Sequence, residues 1–277
     1  PAGLKIRDAV FEADGQIRLA GAANGKLVLA VTSVDGKFQV LGEDIQMLDR
    51  VSFSGDGRRF AYQNKRGQVK VWAVKSGMKI HHFEEPCTEW AFNFSGTHFA
   101  RNVTGGAMEI YDLNQKKVTG VVPKPGVAVW KMSLSSRGDF LMDVGEHYVR
   151  KSDARLPAST MKPKTDNVSM YGLAIDQSGG RIASATTTNV IQIWDGLSGK
   201  EITQMAGHTG GIRDAITFSP DGTRLAWLDD RRRLRVWDFT VGSEPQTLPP
   251  ITGEPHGLRF LPDGQFLVGV SVDAIAF

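Results

Sequence analysis

A glycine turn recurs seven times along the 277 residues of this chain, and its regular spacing constrains the fold more than any other feature. The turns end at Gly15, Gly57, Gly96, Gly138, Gly179, Gly222 and Gly264, so successive turns are 39 to 43 residues apart. In four turns the glycine follows an aspartate, and Asp-Gly supplies the positive φ that a tight hairpin requires. A repeat of this length is typical of arrays whose small units bury their faces only against their neighbours.

Apolar residues precede each turn with the spacing of a β-strand. The sixth and fourth residues before the glycine are apolar in all seven units: Ala9 and Phe11, Val51 and Phe53, Trp90 and Phe92, Met132 and Leu134, Leu173 and Ile175, Ile216 and Phe218, and Leu258 and Phe260. Residues two positions apart share one face of a strand, whereas a helical stripe needs spacings of three and four. The pattern therefore predicts a first strand that ends at each turn.

A second strand, a short polar loop and a third strand follow the turn. This stretch has the same length in five units: Phe60 to Ala73, Phe99 to Asp112, Phe140 to Asp153, Ile182 to Asp195, and Leu225 to Asp238. Equal length predicts equal hairpin register, because a slip of one residue would turn the buried side chains outward. A more polar fourth strand, such as Glu201 to Met205, fits the remainder of each unit.

These elements predict an all-β fold, a seven-bladed β-propeller of four-stranded antiparallel sheets. The whole chain, residues 1–277, is expected to form this single domain. The sequence begins with Pro1, and Phe277 comes just before the place where the seventh unit would end its third strand. We therefore expect an incomplete seventh blade and a domain that is an excerpt of a longer protein.

Several motifs resemble those of the WD-repeat β-propeller family. Two third strands end in Trp-Asp, at Trp194-Asp195 and Trp237-Asp238, and Gly207-His208 precedes the first strand of unit six. The Ser-Pro-Asp-Gly and Leu-Pro-Asp-Gly turns are similar to those of bacterial members, which are often joined to signalling modules. The resemblance covers the whole chain and is strongest in units five and six.

The resemblance also implies a hydrogen-bonded tetrad of His, Ser or Thr, Asp and Trp within a blade. In unit six, His208 and Trp237 occupy two of these positions. In unit five, Thr186, Thr188 and Trp194 occupy the three later positions. No unit has the full set, so we expect apolar packing between sheets to stabilise the blades more than buried polar networks do.

Composition excludes several function classes. The net charge is +3, from 33 basic and 30 acidic residues, which argues against nucleic acid as a partner. Cys87 is the one cysteine, so an internal disulfide is excluded, and no apolar run has the about 20 residues that span a membrane. We therefore expect a cytoplasmic protein without membrane contact.

The six histidines do not show metal-ligand spacing, and the chain lacks nucleophile-elbow and phosphate-loop motifs. We expect no metal, no cofactor and no catalytic residues. His81-His82 is expected to be an exposed polar pair on an outer strand. An enzyme would need a site built from several blades at the central channel, and this alternative stays open.

Basic turns supply the candidate binding site. Arg231-Arg232-Arg233 and Lys65-Arg66 lie between predicted second and third strands, and the resemblance implies that these turns share a face with the connections between blades. Arginine suits carboxylate or phosphate groups, although a solvated turn is the competing interpretation. Trp130 lies near the start of a first strand and is a candidate contact at the channel mouth. The candidate partner-binding residues are Lys65, Arg66, Trp130, His208, Arg231, Arg232 and Arg233.

The resulting hypothesis is a non-enzymatic scaffold that binds a protein or peptide, acidic or phosphorylated, through one face of the ring. Short loops on rigid blades give a preorganised surface that loses little entropy on binding. Three alternatives remain: a propeller enzyme with a channel site, an anion- or nucleic-acid-binding module that uses the basic turns, and a structural spacer.

Overall fold

The described part of the chain is built from β-strands. A computed structural model describes residues 5–11, 17–31, 38–44, 50–123, 129, 131–135, 137–138, 140–145, 148–153, 156–161, 170–206, 216–229, 231, 233–249, 255–260, 264–265, 267–271 and 275–276. Within these ranges every regular element is a strand, and every pair of bonded strands is antiparallel. The predicted all-β class is therefore confirmed for the described residues.

The first four sheets have four strands each, bonded in chain order. Sheet 1 contains β1 (Lys5–Phe11), β2 (Ile17–Ala23), β3 (Lys26–Val31) and β4 (Phe38–Asp44). Sheet 2 contains β5 (Arg50–Phe53), β6 (Arg59–Gln63), β7 (Val69–Ala73) and β8 (Lys79–Phe83). Sheet 3 contains β9 (Trp90–Phe92), β10 (His98–Asn102), β11 (Met108–Asp112) and β12 (Lys117–Val122). Sheet 4 contains β13 (Lys131–Leu134), β14 (Phe140–Gly145), β15 (Tyr148–Asp153) and β16 (Leu156–Met161).

The remaining strands continue the pattern. Sheet 5 contains β17 (Met170–Ile175), β18 (Arg181–Thr186), β19 (Val190–Asp195) and β20 (Glu201–Ala206). Sheet 6 contains β21 (Ile216–Phe218), β22 (Arg224–Leu228), β23 (Leu234–Asp238) and β24 (Gln246–Leu248). Sheet 7 contains β25 (Pro255–Phe260), β26 (Leu267–Ser271) and β27 (Ile275–Ala276). The described residues thus form six sheets of four strands and one of three.

First strands of successive sheets lie side by side, which arranges the sheets as a propeller. Such neighbours include β9 with β13, β13 with β17, β17 with β21, and β21 with β25. Strand β1 contacts both β5 and β25, so the first and last sheets of the described chain also adjoin. The fold is therefore a propeller of four-stranded antiparallel sheets, as predicted.

Of the five units predicted to share one hairpin register, sheets 2, 3, 5 and 6 share it and sheet 4 does not. Phe60 pairs with Trp72, and the same offset recurs in sheets 3, 5 and 6. Phe140, however, pairs with Asp153, one residue beyond the expected partner. Strands β6 and β7 enclose five residues between the last pair, Gln63 and Val69, whereas β14 and β15 enclose two between Gly145 and Tyr148. Sheet 4 thus has a loop with an even number of residues where sheet 2 has an odd number, and this difference shifts the pairing of its second and third strands by one residue.

The hydrophobic core lies between sheets and not within them. Each described cluster joins two consecutive sheets, as where Phe53 and Trp72 of sheet 2 pack with Leu27 and Leu29 of sheet 1. Sheets 2 and 3, 3 and 4, 5 and 6, and 6 and 7 are joined in the same way. Trp227, which breaks the repeat pattern in the sequence, is buried in the cluster between sheets 5 and 6. The expectation that apolar packing joins the blades is consistent with these clusters.

A buried polar residue closes each described glycine turn, a feature that the sequence analysis missed. It lies three positions before the glycine: Ser54, Asn93, Ser135, Asp176 and Ser219. In sheet 6 the Ser219 amide donates to the Arg224 carbonyl at 2.9 Å, and the Gly222 amide donates to the Ser219 carbonyl at 2.8 Å. The Ser219 hydroxyl also accepts from the Arg224 amide at 2.9 Å and donates to Asp221 Oδ1 at 2.5 Å. The same side chain therefore orders both the backbone and the aspartate of the turn.

These bonds shift the titration of Asp221. The hydroxyl of Ser219, followed by the backbone amide of Thr223, lowers the pKa of Asp221 from 3.8 to about 2. A hydrogen bond to the charged form of a carboxyl favours that form. The folded turn therefore stabilises the ionised aspartate.

The partner of Trp194 differs from the one that the family resemblance implied. The Trp194 indole donates to the Ser184 hydroxyl at 2.8 Å. Thr186 instead bonds within its own turn, to Thr188 Oγ1 at 3.1 Å and to the Val190 carbonyl at 3.0 Å. Because Trp194 pairs with Ile182, the residue diagonal to it on the same face is Ser184, and Thr186 lies two positions farther along. The assignment of Thr186 as the tryptophan's hydroxyl partner is wrong.

We predict that Ser184 and Trp194 are energetically coupled. A double-mutant cycle of Ser184→Ala and Trp194→Phe, measured by urea unfolding, should give a coupling energy of about 1 kcal/mol, because the buried indole N–H loses its acceptor. The matched cycle with Thr186→Ala should give a coupling below about 0.5 kcal/mol. A larger coupling to Thr186 than to Ser184 would contradict the observed pairing.

We predict that Ser219→Ala raises the pKa of Asp221 towards its ordinary value. Because the folded pKa is depressed, Asp221 contributes stability that is complete above about pH 4 and lost as the pH falls through about 2. Carboxyl ¹³C chemical shifts of Asp221 followed against pH would measure the change. Ser198→Ala, which removes a hydroxyl bonded to Asp195 in another turn, is the control and should leave this titration unchanged. An unaltered Asp221 pKa in Ser219→Ala would refute the assigned cause.

Candidate functional site

The first strands of all seven sheets line a central cavity of about 540 Å³. One apolar lining residue from each sheet marks this arrangement: Val10, Phe53, Phe92, Leu134, Ile175, Phe218 and Phe260. The volume lies within the range of about 300–1,000 Å³ that ligand pockets occupy. Residues from every described sheet can therefore contribute to one central site.

The two faces of the ring carry different turns, because successive turns of an antiparallel sheet alternate between the ends of its strands. We call one the connection face: it holds the turns between second and third strands and the connections from sheet to sheet. We call the other the glycine-turn face: it holds the turns between first and second strands and between third and fourth strands. Lys65, Arg66, Arg231 and Arg233 belong to the connection face.

Lys65 and Arg66 are exposed on a turn of fixed shape between β6 and β7. Asn64 holds this turn, since its side-chain Oδ1 accepts from the amides of Arg66 at 2.9 Å and Gln68 at 3.0 Å. The Gly67 amide donates to the Asn64 carbonyl at 2.9 Å. The backbone is therefore ordered while both cationic side chains extend into solvent.

The arginines between β22 and β23 have unequal environments. Arg231 is exposed, whereas Arg233 pairs with Asp229 at 2.8 Å. The Asp229 side chain is 3% exposed and also accepts from the amides of Arg231 at 3.0 Å and Arg233 at 2.9 Å. Arg233 therefore neutralises a buried carboxylate that shapes the turn, and Arg231 remains as an exposed cation. Arg232 lies outside the described residues.

The structure does not bring the two basic turns together. Lys65 and Arg66 belong to sheet 2 and Arg231 belongs to sheet 6, and sheets 7 and 1 lie between them in the observed order of neighbours. Trp130 and His208 also lie outside the described residues. The predicted site residues that are described therefore form two separate positions on the connection face.

Two arginines of the cavity wall were not among the predicted site residues. Arg50 begins β5, and Arg259 lies in β25; both line the cavity. A signal for Arg259 exists in the sequence, at the position between the two apolar residues of each first strand. The residues at this position are Val10, Ser52, Ala91, Ser133, Ala174, Thr217 and Arg259. The seventh unit alone has a charged residue there.

Arg259 joins three sheets through one nitrogen. Its Nη2 atom lies 3.2 Å from Oδ2 of Asp8 in sheet 1 and 3.4 Å from both Ser52 Oγ and the Phe53 carbonyl in sheet 2. Asp8 lies where the register of β1 shifts, and its carboxylate also accepts from the amides of Phe53 at 2.6 Å and Ala9 at 2.9 Å. The Asp8 carboxylate therefore bonds to sheets 1, 2 and 7.

Arg50 is bound at the connection-face end of the same wall. Its Nη1 donates to Glu89 at 2.7 Å and its Nη2 to the Trp90 carbonyl at 3.1 Å. The guanidinium carbon lies 4.8 Å from the centre of the Trp90 ring, a cation–π geometry. Two guanidinium groups therefore line the cavity, Arg259 beside sheets 1 and 2 and Arg50 beside sheet 3.

Other titratable groups serve packing. His81 is half-buried against Phe83 and Tyr111, so the expectation of an exposed histidine pair is wrong. Burial, followed by the charge of Arg101, lowers the pKa of His81. Burial raises the pKa of Cys87 to about 11, which keeps this thiol protonated at neutral pH. The described residues hold no group of three or more His, Cys, Asp or Glu placed to bind a metal ion.

Comparisons with known proteins agree with the geometry. Residues 199–238 match the family model "WD domain, G-beta repeat". This stretch contains β20 of sheet 5 and the first three strands of sheet 6, so one sequence repeat spans two sheets. A chain in a "Crystal Structure of Mitotic Checkpoint Complex" superposes with a TM-score of 0.74 at 17% identity, over 99% of this chain and 91% of that chain. This superposition shows a shared fold.

Two curated proteins illustrate the sequence similarity. Nuclear distribution protein PAC1 of Arthroderma benhamiae is 37% identical over 79 residues, which cover 28% of this chain and 17% of that protein. WD repeat-containing protein 1 of Rattus norvegicus is 36% identical over 74 residues, 26% of this chain and 12% of that protein. The matches thus cover less than a fifth of either relative. The repeat match and the relatives show sequence similarity to WD-repeat proteins, and the superposition shows a shared fold.

A membrane-spanning helix is not found among the residues that the structure describes.

We predict that Arg233 stabilises the fold and that Arg231 does not. Arg233→Ala should lower the free energy of unfolding by about 1–2 kcal/mol, because it leaves the buried Asp229 carboxylate without its guanidinium. Arg231→Ala should change it by less than about 0.5 kcal/mol. Urea unfolding followed by tryptophan fluorescence measures both. Equal effects of the two substitutions would show that the Asp229 pair contributes nothing.

Proposed function

We propose that the chain is a non-enzymatic interaction scaffold whose seven sheets are the blades of one closed ring. Residues 1–277 form a single propeller domain, and the connection face binds a protein or peptide partner. The proposal also includes three predictions from the sequence: that the chain is a WD-repeat propeller of the bacterial type, that it acts beside a signalling module, and that it is cytoplasmic. WD-repeat propellers typically act as protein-interaction scaffolds, and the similarity to them supports this class.

One observation carries the proposal: the connection face presents short turns that their own hydrogen bonds hold in shape around a central cavity. Asn64 fixes the turn with Lys65 and Arg66, and Asp229 fixes the turn with Arg231. A preorganised surface loses little conformational entropy when a partner binds. The positions of the cations then determine which partners fit.

The exposed cations favour a partner with negative charge. Lys65 and Arg66 act on one side of the ring and Arg231 on another, so a partner that engages both must cross the connection face. Acidic or phosphorylated segments match this pattern, because arginine donates paired hydrogen bonds to carboxylate and phosphate. Trp130, His208 and Arg232 remain predicted contacts of the same face.

We predict that charge removal on the connection face weakens partner capture. The immobilised chain would be incubated with lysate of its source, and the retained proteins would be quantified by mass spectrometry. A Lys65→Ser, Arg66→Ser, Arg231→Ser variant should retain about fivefold less of a direct partner, because charge pairs across an interface contribute to its affinity and association rate. Lys75→Ser, an exposed cation on the glycine-turn face, is the matched control and should retain as much as the unmodified chain.

Unchanged recovery of every retained protein by the triple variant would rule out the basic turns as the binding surface. Hydrogen exchange of the purified complex adds an independent measurement. Protection of amides 64–68 and 229–233 is expected, and protection confined to amides 74–78 of the glycine-turn face would place the partner on the opposite side.

A further inference from the structure

The most exposed large apolar side chains of the described residues lie on the glycine-turn face. Leu197, Val241 and Met78 are 77%, 72% and 68% exposed, and each lies in a turn between a third and a fourth strand. Phe94, in the turn between β9 and β10, is exposed on the same face. Single exposed apolar side chains are ordinary, but four of them on one face indicate an interaction surface.

The glycine-turn ends of sheets 2 and 3 are strongly basic. Six basic and two acidic residues lie in their segments 53–60, 72–80, 92–99 and 111–118. The basic residues are Arg58, Arg59, Lys75, Lys79, Lys116 and Lys117. All of them except Arg59 are exposed, whereas Asp112 is buried and Asp56 is partly buried. We call this region the basic half of the face.

Hydrogen bonds between sheets 2 and 3 make the basic half one continuous surface. The Arg59 Nη2 donates to Asn114 Oδ1 at 2.8 Å, in the turn that also carries Lys116. The Asp56 amide donates to the Phe94 carbonyl at 2.9 Å, which joins the two glycine turns. The exposed cations of both sheets therefore belong to one surface.

The glycine-turn ends of sheets 5 and 6 have the opposite charge. Three basic and six acidic residues lie in their segments 175–182, 194–202, 218–225 and 237–246. The acidic residues are Asp176, Asp195, Glu201, Asp221, Asp238 and Glu244. Two of the three cations, Arg181 and Arg224, donate to turn carbonyls of the next sheet at 2.7 and 2.5 Å. We call this region the acidic half of the face.

The basic and acidic halves lie on opposite sides of the ring. Sheet 4 separates them on one side, and sheets 7 and 1 separate them on the other. If two copies face each other, a two-fold axis that lies between them and passes over sheet 4 sets sheet 2 of one copy opposite sheet 6 of the other, and sheet 3 opposite sheet 5. Each basic half then meets an acidic half, and the turn with Met78 meets the turn with Val241.

We propose that the glycine-turn face binds the same face of a second copy of this chain, so that two rings form a two-fold dimer with each basic half against an acidic half. Charge complementarity selects this occupant, because an anionic membrane or an acidic protein would match the basic half and be repelled by the acidic half. A standard interface buries about 800 Å² on each partner. This is a small share of the 13293 Å² surface of the chain.

The dimer goes beyond the proposed function and does not depend on it. Pairing through the glycine-turn faces leaves the connection faces of both copies pointing outward. Partner capture and self-association therefore use opposite faces of the ring. A dimer would present two connection faces, which raises the avidity for a partner that carries two binding segments.

The test measures the mass of the intact chain by sedimentation velocity at concentrations from about 1 to about 100 μM. The unmodified chain should approach twice the 30.2 kDa of one copy as its concentration rises. Variant A, Lys75→Glu with Met78→Glu, makes the turn of sheet 2 acidic. Variant B, Val241→Lys with Glu244→Lys, makes the facing turn of sheet 6 basic.

Each variant alone should dimerise at least about thirtyfold more weakly, because like charges then face each other on both sides of the two-fold axis. An equimolar mixture of variants A and B should dimerise again. In that pair, the reversed turns have opposite charges, and the other two facing turns are unchanged. The restored species should contain one copy of each variant.

Two further measurements separate pairing from folding. All four substituted side chains are exposed, so the melting temperatures should stay within about 2 °C of the unmodified chain. Thr104→Glu adds a negative charge to an exposed turn of sheet 3 on the connection face and, as the control, should leave dimerisation unaltered. Carbodiimide cross-linking needs no variant. In a mixture of ¹⁴N- and ¹⁵N-labelled unmodified chains, it should join Lys75 or Lys79 of one copy to Glu244 of the other.

A chain that stays monomeric at every concentration would overturn the proposal. So would undiminished dimers of variants A and B, a mixture of the two that does not associate, or cross-links between copies that join other surfaces only. A monomeric chain that sediments with vesicles of phosphatidylcholine and phosphatidylglycerol would assign the basic half to a membrane instead. If the dimer forms as expected and partner capture fails, the proposed scaffold function fails alone. If capture succeeds and the chain is monomeric, the dimer fails alone.

Discussion

Burial between neighbouring sheets is the interaction on which the rest of this structure depends. A four-stranded sheet of about twenty residues cannot exclude water from either face alone, and here each described cluster of buried side chains joins two consecutive sheets. Aromatic residues fill these spaces, as where Phe99 of sheet 3 stacks on Trp90 of the same sheet and on Phe83 of sheet 2. Because side chains between neighbouring sheets stabilise the fold, the central cavity does not have to be filled by side chains.

Polar bonds between sheets supplement this packing at the glycine-turn face. Arg181 of sheet 5 donates to the Gly222 carbonyl of sheet 6 at 2.7 Å, and Arg224 of sheet 6 donates to the Gly264 carbonyl of sheet 7 at 2.5 Å. The turn glycine serves two purposes in this contact. Gly222 has a φ of +70°, and a Cβ there would lie 2.9 Å from Asp176 Oδ2. The repeat glycines thus permit both the hairpin and the close approach of adjacent sheets.

Features that repeat in every unit could be predicted from the sequence, whereas features that occur in a single unit could not. Strand class, the turns at Gly57, Gly96, Gly138, Gly179, Gly222 and Gly264, and the fourth strand near Glu201 follow from periodicity, and the structure confirms them; the turn at Gly15 lies outside the described residues. The register of β14 and β15 did not follow, because equal segment length conceals a shorter loop flanked by longer strands. The bond from Trp194 to Ser184 depends on which residues are diagonal across a strand pair, and this is known only once the register is fixed. Arg259 stood out in the sequence only as the charged member of an otherwise small and uncharged set.

Arg259 shows why one residue can serve both the ring and its cavity. A guanidinium carries five N–H donors on three nitrogens, so Nη2 can bond to Asp8, Ser52 and Phe53 at once while Arg259 still lines the cavity. The Asp8 carboxylate also accepts from the amides of Phe53 and Ala9, so it bonds to sheets 1, 2 and 7. The pair of Asp8 and Arg259 therefore joins three sheets at the wall of the cavity.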